Sequence, residues 1–302
     1  DLRFTLVPNF NRSRFNYVEK IEKVILANQP SDYLVAPFLY GTEDKLITMI
    51  NKHQIKFISY NSPLSQHVRN AIGTPRTPYK NWLAHISPDD EQAGYDAAKY
   101  LVSNLDKNSN PFNIIAINGG RHSEVAKERN AGLERYSIEH GQINLLQTVN
   151  TDWSSVHSKE IAAQLLKRFK SFDAIWTASD VIAISAYQAL EEANIEETPL
   201  IAGIDWTKEI TPYIKNRKIL ASFGGHVFEG VWVLTLIRDH FSGKDFIEET
   251  GGVIHYPLRP INKTNLALLN KISQTTLDAT LLSKCLSNQN KTYQFDPMTL
   301  LL

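Results

Sequence analysis

A single cysteine, Cys285, leaves the chain without an intramolecular disulfide. The thiol reads as buried or incidental, and its solitude says little about compartment, since many exported proteins of this size use no disulfide. Neither sign of charge is in excess. Lys plus Arg and Asp plus Glu stand at 32 each, so no basic field exists to hold a polyanion, and nucleic acid is disfavoured as a partner. The sequence has no apolar run of about 18 residues and hence no transmembrane helix. It has no start Met and no basic-plus-apolar leader; it opens Asp-Leu-Arg-Phe-Thr-Leu-Val-Pro, almost directly in a strand. A mature or trimmed product is therefore expected, with its export signal absent. Short-period repeats and low-complexity tracts are missing too. So is any nucleophile-base motif or paired acid-base constellation at a workable spacing, which disfavours an enzyme.

What remains is 302 residues, 42% of them hydrophobic and spread in short segments, enough for one large domain or two ordinary ones; two lobes are favoured. Apolar runs alternate with helical periodicity. Strands are expected at Leu2 to Val7, Tyr33 to Ala36, Lys56 to Tyr60, Leu83 to Ser87, Asn113 to Ile117, Asn144 to Val149, Ala174 to Ala178, Leu200 to Ile204, Ile219 to Phe223 and Val253 to Leu258. Helices are expected between them, among them Tyr17 to Ala27, Glu43 to Lys52, Ala93 to Leu105, Glu124 to Glu139, Val156 to Phe169, Val181 to Glu192 and Phe228 to Phe241, with a last one at Asn265 to Leu282. This rhythm implies βαβ units and parallel sheets. The tail, ending in three leucines, is expected to pack on a lobe.

The stretch Phe172 to Thr207 concentrates the functional signal. Two apolar strands end at Ser179-Asp180 and at Asp205-Trp206, on the carboxyl edge where open α/β sheets bind ligands. An acceptor beside a flat apolar face suits a polyhydroxylated ring. Asp180, opening a helix, reads as its N-cap. Lys127-Glu128-Arg129 begin a helical face that alone would be solvated. Asn118-Gly119-Gly120 lacks the spacing and lysine of a phosphate loop. His226 and Glu229 have helix-like metal spacing without a third ligand, so no metal and no cofactor are expected. Three Asn-x-Ser/Thr matches, at Asn11, Asn262 and Asn290, are of a kind frequent by chance.

Four motifs, in order, give the chain a resemblance: Ser87-Pro88-Asp89-Asp90 to Gly94 and Ala97-Ala98; Lys127-Glu128-Arg129 to Gly132-Leu133; Ala178-Ser179-Asp180 to Ala183; and Ala202-Gly203-Ile204-Asp205. With Gly225-His226 they resemble the type I periplasmic binding proteins, a fold shared by sugar-binding proteins of ABC importers and by the cores of lactose-repressor-type regulators. The resemblance implies two Rossmann-like lobes crossed three times, near Ser87, His226 and Val253, with the ligand between lobes that close by hinge motion. The implied lobes are 1–87 plus 227–253 and 88–226 plus 254–263, with 264–302 as a packing tail. The implied ligand positions are Asn9, Phe10, Asn61, Lys127 or Arg129, Trp153, Ser179, Asp205, Trp206 and His226. Phe10 and Trp153 would sandwich a ring, Asn61, Ser179 and Asp205 would bond hydroxyls, and one cation would donate. Ser179 departs from the family's usual Asn. So does the short connection after Phe10, where a helix and an edge strand are expected, and an omission near Phe10 to Arg12 is suspected.

The resemblance implies a periplasmic, monomeric solute-binding protein that captures a sugar or polyol for an ABC permease. A ligand sensor read by a membrane kinase, or a repressor core without its DNA-binding head, stands as the alternative.

Overall fold

Strands and helices alternate into two units, each built on its own sheet. A computed structural model describes residues 15–28, 32–106, 111–195, 198–274, 279–286 and 292–301. The strand expected at Leu2 to Val7, together with Asn9, Phe10 and the suspected omission beside them, lies outside the described residues. The first unit comprises Asp1–Ser87, Glu229–His255 and Lys291–Tyr293, and the second Pro88–Phe228, Tyr256–Asn290 and Gln294–Leu302.

The first unit opens with α1 (Tyr17–Ala27), β1 (Tyr33–Pro37), α2 (Glu43–Lys52), β2 (Lys56–Tyr60), α3 (Gln66–Ile72) and β3 (Trp82–Pro88). Helix α1 buries Tyr17, Ile21 and Ile25, spaced by four, and α2 buries Leu46, Ile47, Met49 and Ile50. These side chains meet Phe38, Phe57 and Trp82 in one core, where Phe38 sets its edge against both other rings at 5.7 and 5.5 Å. Each such aliphatic side chain removed from water contributes about 1.5–3 kcal/mol. Helix α3 escapes a sequence reading because its seven residues bury only Ile72. It is fixed instead by Ser65, whose Oγ accepts from Val68 N.

The second unit runs α4 (Asp90–Ser103), β4 (Phe112–Asn118), α5 (Glu124–His140), β5 (Ile143–Asn150), α6 (Ser155–Arg168), β6 (Ala174–Thr177), α7 (Asp180–Glu192), β7 (Leu200–Ile204), α8 (Thr211–Lys215) and β8 (Ala221–Gly224). The chain then returns to the first unit with α9 (Glu229–Phe241), α10 (Ile247–Thr250) and β9 (Val253–Tyr256), before β10 (Arg259–Asn262), α11 (Ala267–Gln274), α12 (Ala279–Ser283) and α13 (Pro297–Leu301). The one long helix expected at Asn265 to Leu282 is thus described as α11 and α12. Helix α4 starts at Asp90, three residues early, because Asp89 caps it by accepting from Gln92 N.

The first sheet has the order β1-β2-β3-β9 and the second β10-β8-β7-β6-β4-β5. In the second sheet β4, β5, β6, β7 and β8 pair in parallel, while β10 pairs antiparallel to β8 at the edge, where Pro260 lacks no needed donor. That proline hid the strand from the pattern. Because β5 lies on one side of β4 and β6 on the other, the order reverses at β4, the kind of point at whose carboxyl ends open α/β sheets bind ligands. In the tail Leu300 and Leu301 are buried, Pro297 sits on Gly225, and Lys271 Nζ donates to Leu301 O at 2.9 Å. Just before it, Tyr293 Oη donates to Asp239 of the first unit at 2.7 Å, and Gln294 N donates to Cys285 O of the second at 2.7 Å. No helix among the described residues is long and apolar enough to cross a membrane.

Candidate functional site

Two glycines decide how α4 and α5 meet. A Cβ on Gly94 would strike the Arg129 carbonyl, and one on Gly132 would strike that of Glu91, so the helix backbones touch where only glycine allows it. This contact is the physical content of two of the sequence motifs. It brings Arg129 on α5 against Asp90 at the start of α4, and both side chains are buried.

Arg129 is the hub of the carboxyl edge. Its Nε donates to Asp90 Oδ1 at 2.7 Å, Nη1 donates to Ala178 O at 2.6 Å and to Asp205 Oδ1 at 3.3 Å, and Nη2 donates to His226 Nε2 at 3.1 Å. Burial opposes the guanidinium charge, but Asp90 and Asp205 outweigh it and hold the pKa above its ordinary value. Burial pushes Asp90 up to about 6 against the pull of Arg129. It likewise raises Asp205, with Arg129 opposing and Asp180 adding to the rise. Burial, then Arg129, pushes His226 down to about 3, so the imidazole is neutral and accepts from Nη2. Lys127 is placed elsewhere. Its exposed ammonium pairs with Glu124 at 2.6 Å along the helix surface.

Trp153 and Trp206 are each seated on glycine, both with left-handed backbone, φ 70° and 63°. The Trp153 indole follows β5 and lies against Gly119 and Gly120 beyond β4, where a side chain on Gly119 would occupy the ring position. The Asn118-Gly119-Gly120 run thus makes room for an aromatic. Asn118 holds the turn, its Oδ1 accepting from Gly119 N and its Nδ2 donating to Ala126 O. Trp153 remains half-exposed. Trp206 differs: it is 7% exposed, covers Gly224, and spends its Nε1 hydrogen on Ser222 O at 3.0 Å. Its indole faces the protein.

Ser179, not Asp180, caps α7. Its Oγ accepts from Ile182 N at 3.3 Å, and the expectation for Asp180 is corrected accordingly. Asp180, fully buried, reaches sideways instead, accepting from Ser222 Oγ at 2.6 Å and from Thr207 N and Oγ1 at 2.8 and 3.0 Å. Nothing in the local sequence announces those partners, since they come from the next two strands.

In the first unit, Asn61 stands exposed at the end of β2 with φ 80°, its N donating to Ile86 O. Below it Trp82 Nε1 donates to Ser59 Oγ at 2.8 Å, and Ser59 Oγ lies 2.9 Å from Nδ1 of the buried His85. Sequence reading passed over this trio, whose members look like ordinary strand residues. A cavity of about 700 Å3 lined by Leu166, Phe169, Phe172, Asp173, Ala193 and Thr198 opens at the amino edge of the second sheet, away from the residues above. Among the described residues no group of three or more His, Cys, Asp or Glu could hold a metal ion.

A partly buried carboxylate, Asp205, and a half-exposed indole, Trp153, follow strands on either side of a topological switch point, and the cation beside Asp205 is already paired. Residues 34–245 match the model of the periplasmic binding protein domain, and the chain belongs to the type I periplasmic binding protein family, whose members bind solutes and are not enzymes. Among curated proteins it is 24% identical over 164 residues to the fructose import binding protein FruE of Bifidobacterium longum, covering 54% of this chain and 49% of that one. It is 25% identical over 142 residues to the D-allose-binding periplasmic protein of Escherichia coli, covering 47% and 45%. The chain thus spans about half the length of the curated relatives it matches. Among solved structures, a periplasmic sugar-binding protein from Pseudomonas fluorescens superposes with a TM-score of 0.80 at 23% identity, covering 97% of this chain and 88% of that one. That likeness bears on the fold.

Proposed function

We propose that the chain is a periplasmic, monomeric solute-binding protein that captures a neutral sugar or polyol and hands it to an ABC importer. The relatives named above are import or periplasmic sugar binders, which favours this reading over a sensor or a repressor core. The observation that carries the ligand class is the charge balance at Arg129. Two carboxylates already answer its guanidinium, so an anionic ligand finds no free positive charge, while hydroxyls find acceptors. In this reading Trp153 supplies the stacking face. Asp205, its side chain 32% exposed, accepts from hydroxyls, and the Nη2 hydrogen not taken by His226 donates to a ring or hydroxyl oxygen. Ser179 and Trp206 support the edge from beneath. A ligand of this kind works by binding one conformational state of the protein better than the other.

The test is a thermal-shift screen with D-ribose, D-allose, D-fructose and myo-inositol, with D-ribose 5-phosphate as the charged counterpart. A neutral ligand at about 100 times its dissociation constant adds about 2.7 kcal/mol of stability, and that shift disappears in Trp153→Ala and Asp205→Ala. A shift that survives both substitutions, or one given by the phosphate alone, sinks the reading.

A further inference from the structure

We infer that Asp180 is a positioning residue of the binding site: it holds the turn that aims Asp205, although it offers the ligand nothing itself. This rests on the binding reading above.

The turn needs holding. Asp205 and Trp206 are consecutive non-glycine residues at φ 138° and 63°, a backbone that side chains resist. Such a conformation persists only when its surroundings over-determine it. The hydrogen bonds supply this. Asp205 N donates to Phe223 O at 2.7 Å, Trp206 N donates to Ser222 Oγ at 3.1 Å, and Thr207 N donates to Asp180 Oδ2 at 2.8 Å. The second and third of these converge on one carboxylate, because Ser222 Oγ, while accepting from Trp206 N, donates its own hydrogen to Asp180 Oδ1 at 2.6 Å. Thr207 Oγ1 adds another donor to Oδ2. A single buried side chain after β6 therefore ties the residues after β7 to the middle of β8. Gly203 completes the arrangement: the Asp180 carboxylate lies across it, and a Cβ there would collide with Oδ1.

The consequence concerns Asp205. Its carboxylate reaches Arg129 Nη1 at 3.3 Å only while the turn keeps its left-handed form, so the acceptor shown to a ligand depends on a residue that is itself fully buried. An amide in place of the Asp180 carboxylate has one acceptor oxygen where two are used, so either Thr207 loses its acceptor or Ser222 Oγ must accept from the amide and leave its own buried hydrogen without a partner.

The experiment compares Asp180→Asn and Ser222→Ala with the wild type in full-length protein carrying 5-fluorotryptophan. The Trp206 fluorine resonance is assigned through Trp206→Phe. Without any ligand, Asp180→Asn is expected to shift or broaden that resonance while the Trp153 resonance stays in place, and Ser222→Ala, which spares the Thr207 bonds, to do so less. Titration with whichever sugar of the thermal-shift screen binds the wild type, at a temperature where each variant is fully folded, is expected to show a dissociation constant raised about tenfold or more in Asp180→Asn and less in Ser222→Ala. A purely structural role would lower the melting temperature and leave that constant alone. An unchanged Trp206 resonance, or an unchanged dissociation constant in folded Asp180→Asn, overturns the inference. If no sugar binds the wild type, the sugar reading fails while the fluorine arm still decides whether Asp180 holds the turn.

Discussion

In the middle of β3, inside the first sheet, a buried polar group is a neutral imidazole; at the carboxyl edge of the second sheet stands a cluster of ionisable groups. His85 takes a hydrogen bond from a serine that is itself bonded by Trp82, its ring lies 6.4 Å from that of Phe38 in a stacked arrangement, and burial first, then His255 and Arg69, push its pKa to about 3. Arg129 instead keeps its charge under the surface by pairing with Asp90 and Asp205, whose carboxyls burial holds above their ordinary range. Neutral hydrogen bonds hold the buried polar groups of the first sheet, whereas the second pairs Asp205 with a counter-charge and ties the turn that carries it to a second carboxylate, Asp180.

The largest effect should come from breaking the charged cluster. Arg129→Met leaves Asp90 buried without its partner, a change that costs about 3–5 kcal/mol, or on the order of 10 °C in melting temperature. His85→Leu removes only a neutral partner of Ser59 and should cost about 1–3 kcal/mol. Equal losses in thermal unfolding would erase the contrast between the two sheets.

Acid should separate the units next. A histidine held at about 3 is neutral in the fold and protonated when unfolded, so its contribution, complete above about pH 6.5, drains away as pH falls toward 3. His226 in the second unit has the same sign. There, however, Asp90 at about 6 and Glu128, raised to about 7 by burial and then by Asp90, bind protons more readily folded than unfolded, and they favour the fold as pH falls from those values toward about 4. Hydrogen exchange followed from pH 7 to 4.5, corrected for intrinsic rates, should therefore show β2 and β3 opening before β6 and β7. The reverse order would count against this assignment of the charges.

The smallest effects come from glycines. Gly119→Ala drives a methyl group into the Trp153 ring and should cost about 1–3 kcal/mol, displacing the indole as well. Gly230→Ala, in α9 of the first unit with nothing within 4 Å of the added carbon, should raise stability by about 0.5–1 kcal/mol. Urea unfolding resolves the opposite signs.

How much of this the sequence disclosed depends on the range of each interaction. Strand ends and helix faces are local patterns, so Ser179-Asp180 and Asp205-Trp206 could be placed on a carboxyl edge from spacing alone. The choice between Lys127 and Arg129 could not be made, because it turns on which face α5 presents to α4, and that is set by Gly94 and Gly132 across two helices. Asp180 was read as a cap for the same reason: its partners Thr207 and Ser222 are 27 and 42 residues away. Trp206 looked like an open aromatic face until β8 supplied a carbonyl to take its indole hydrogen.

The order of the chain carries one more consequence. The second unit is nearly continuous from Pro88 to Phe228, but the first receives α9, α10 and β9 after it, and Tyr293 later still. A growing chain therefore holds most of the second unit's residues before the first has all of its own, although the first begins earlier. The amino-terminal segment must wait, part-built, for a strand and an anchor that are synthesised only after most of the second unit.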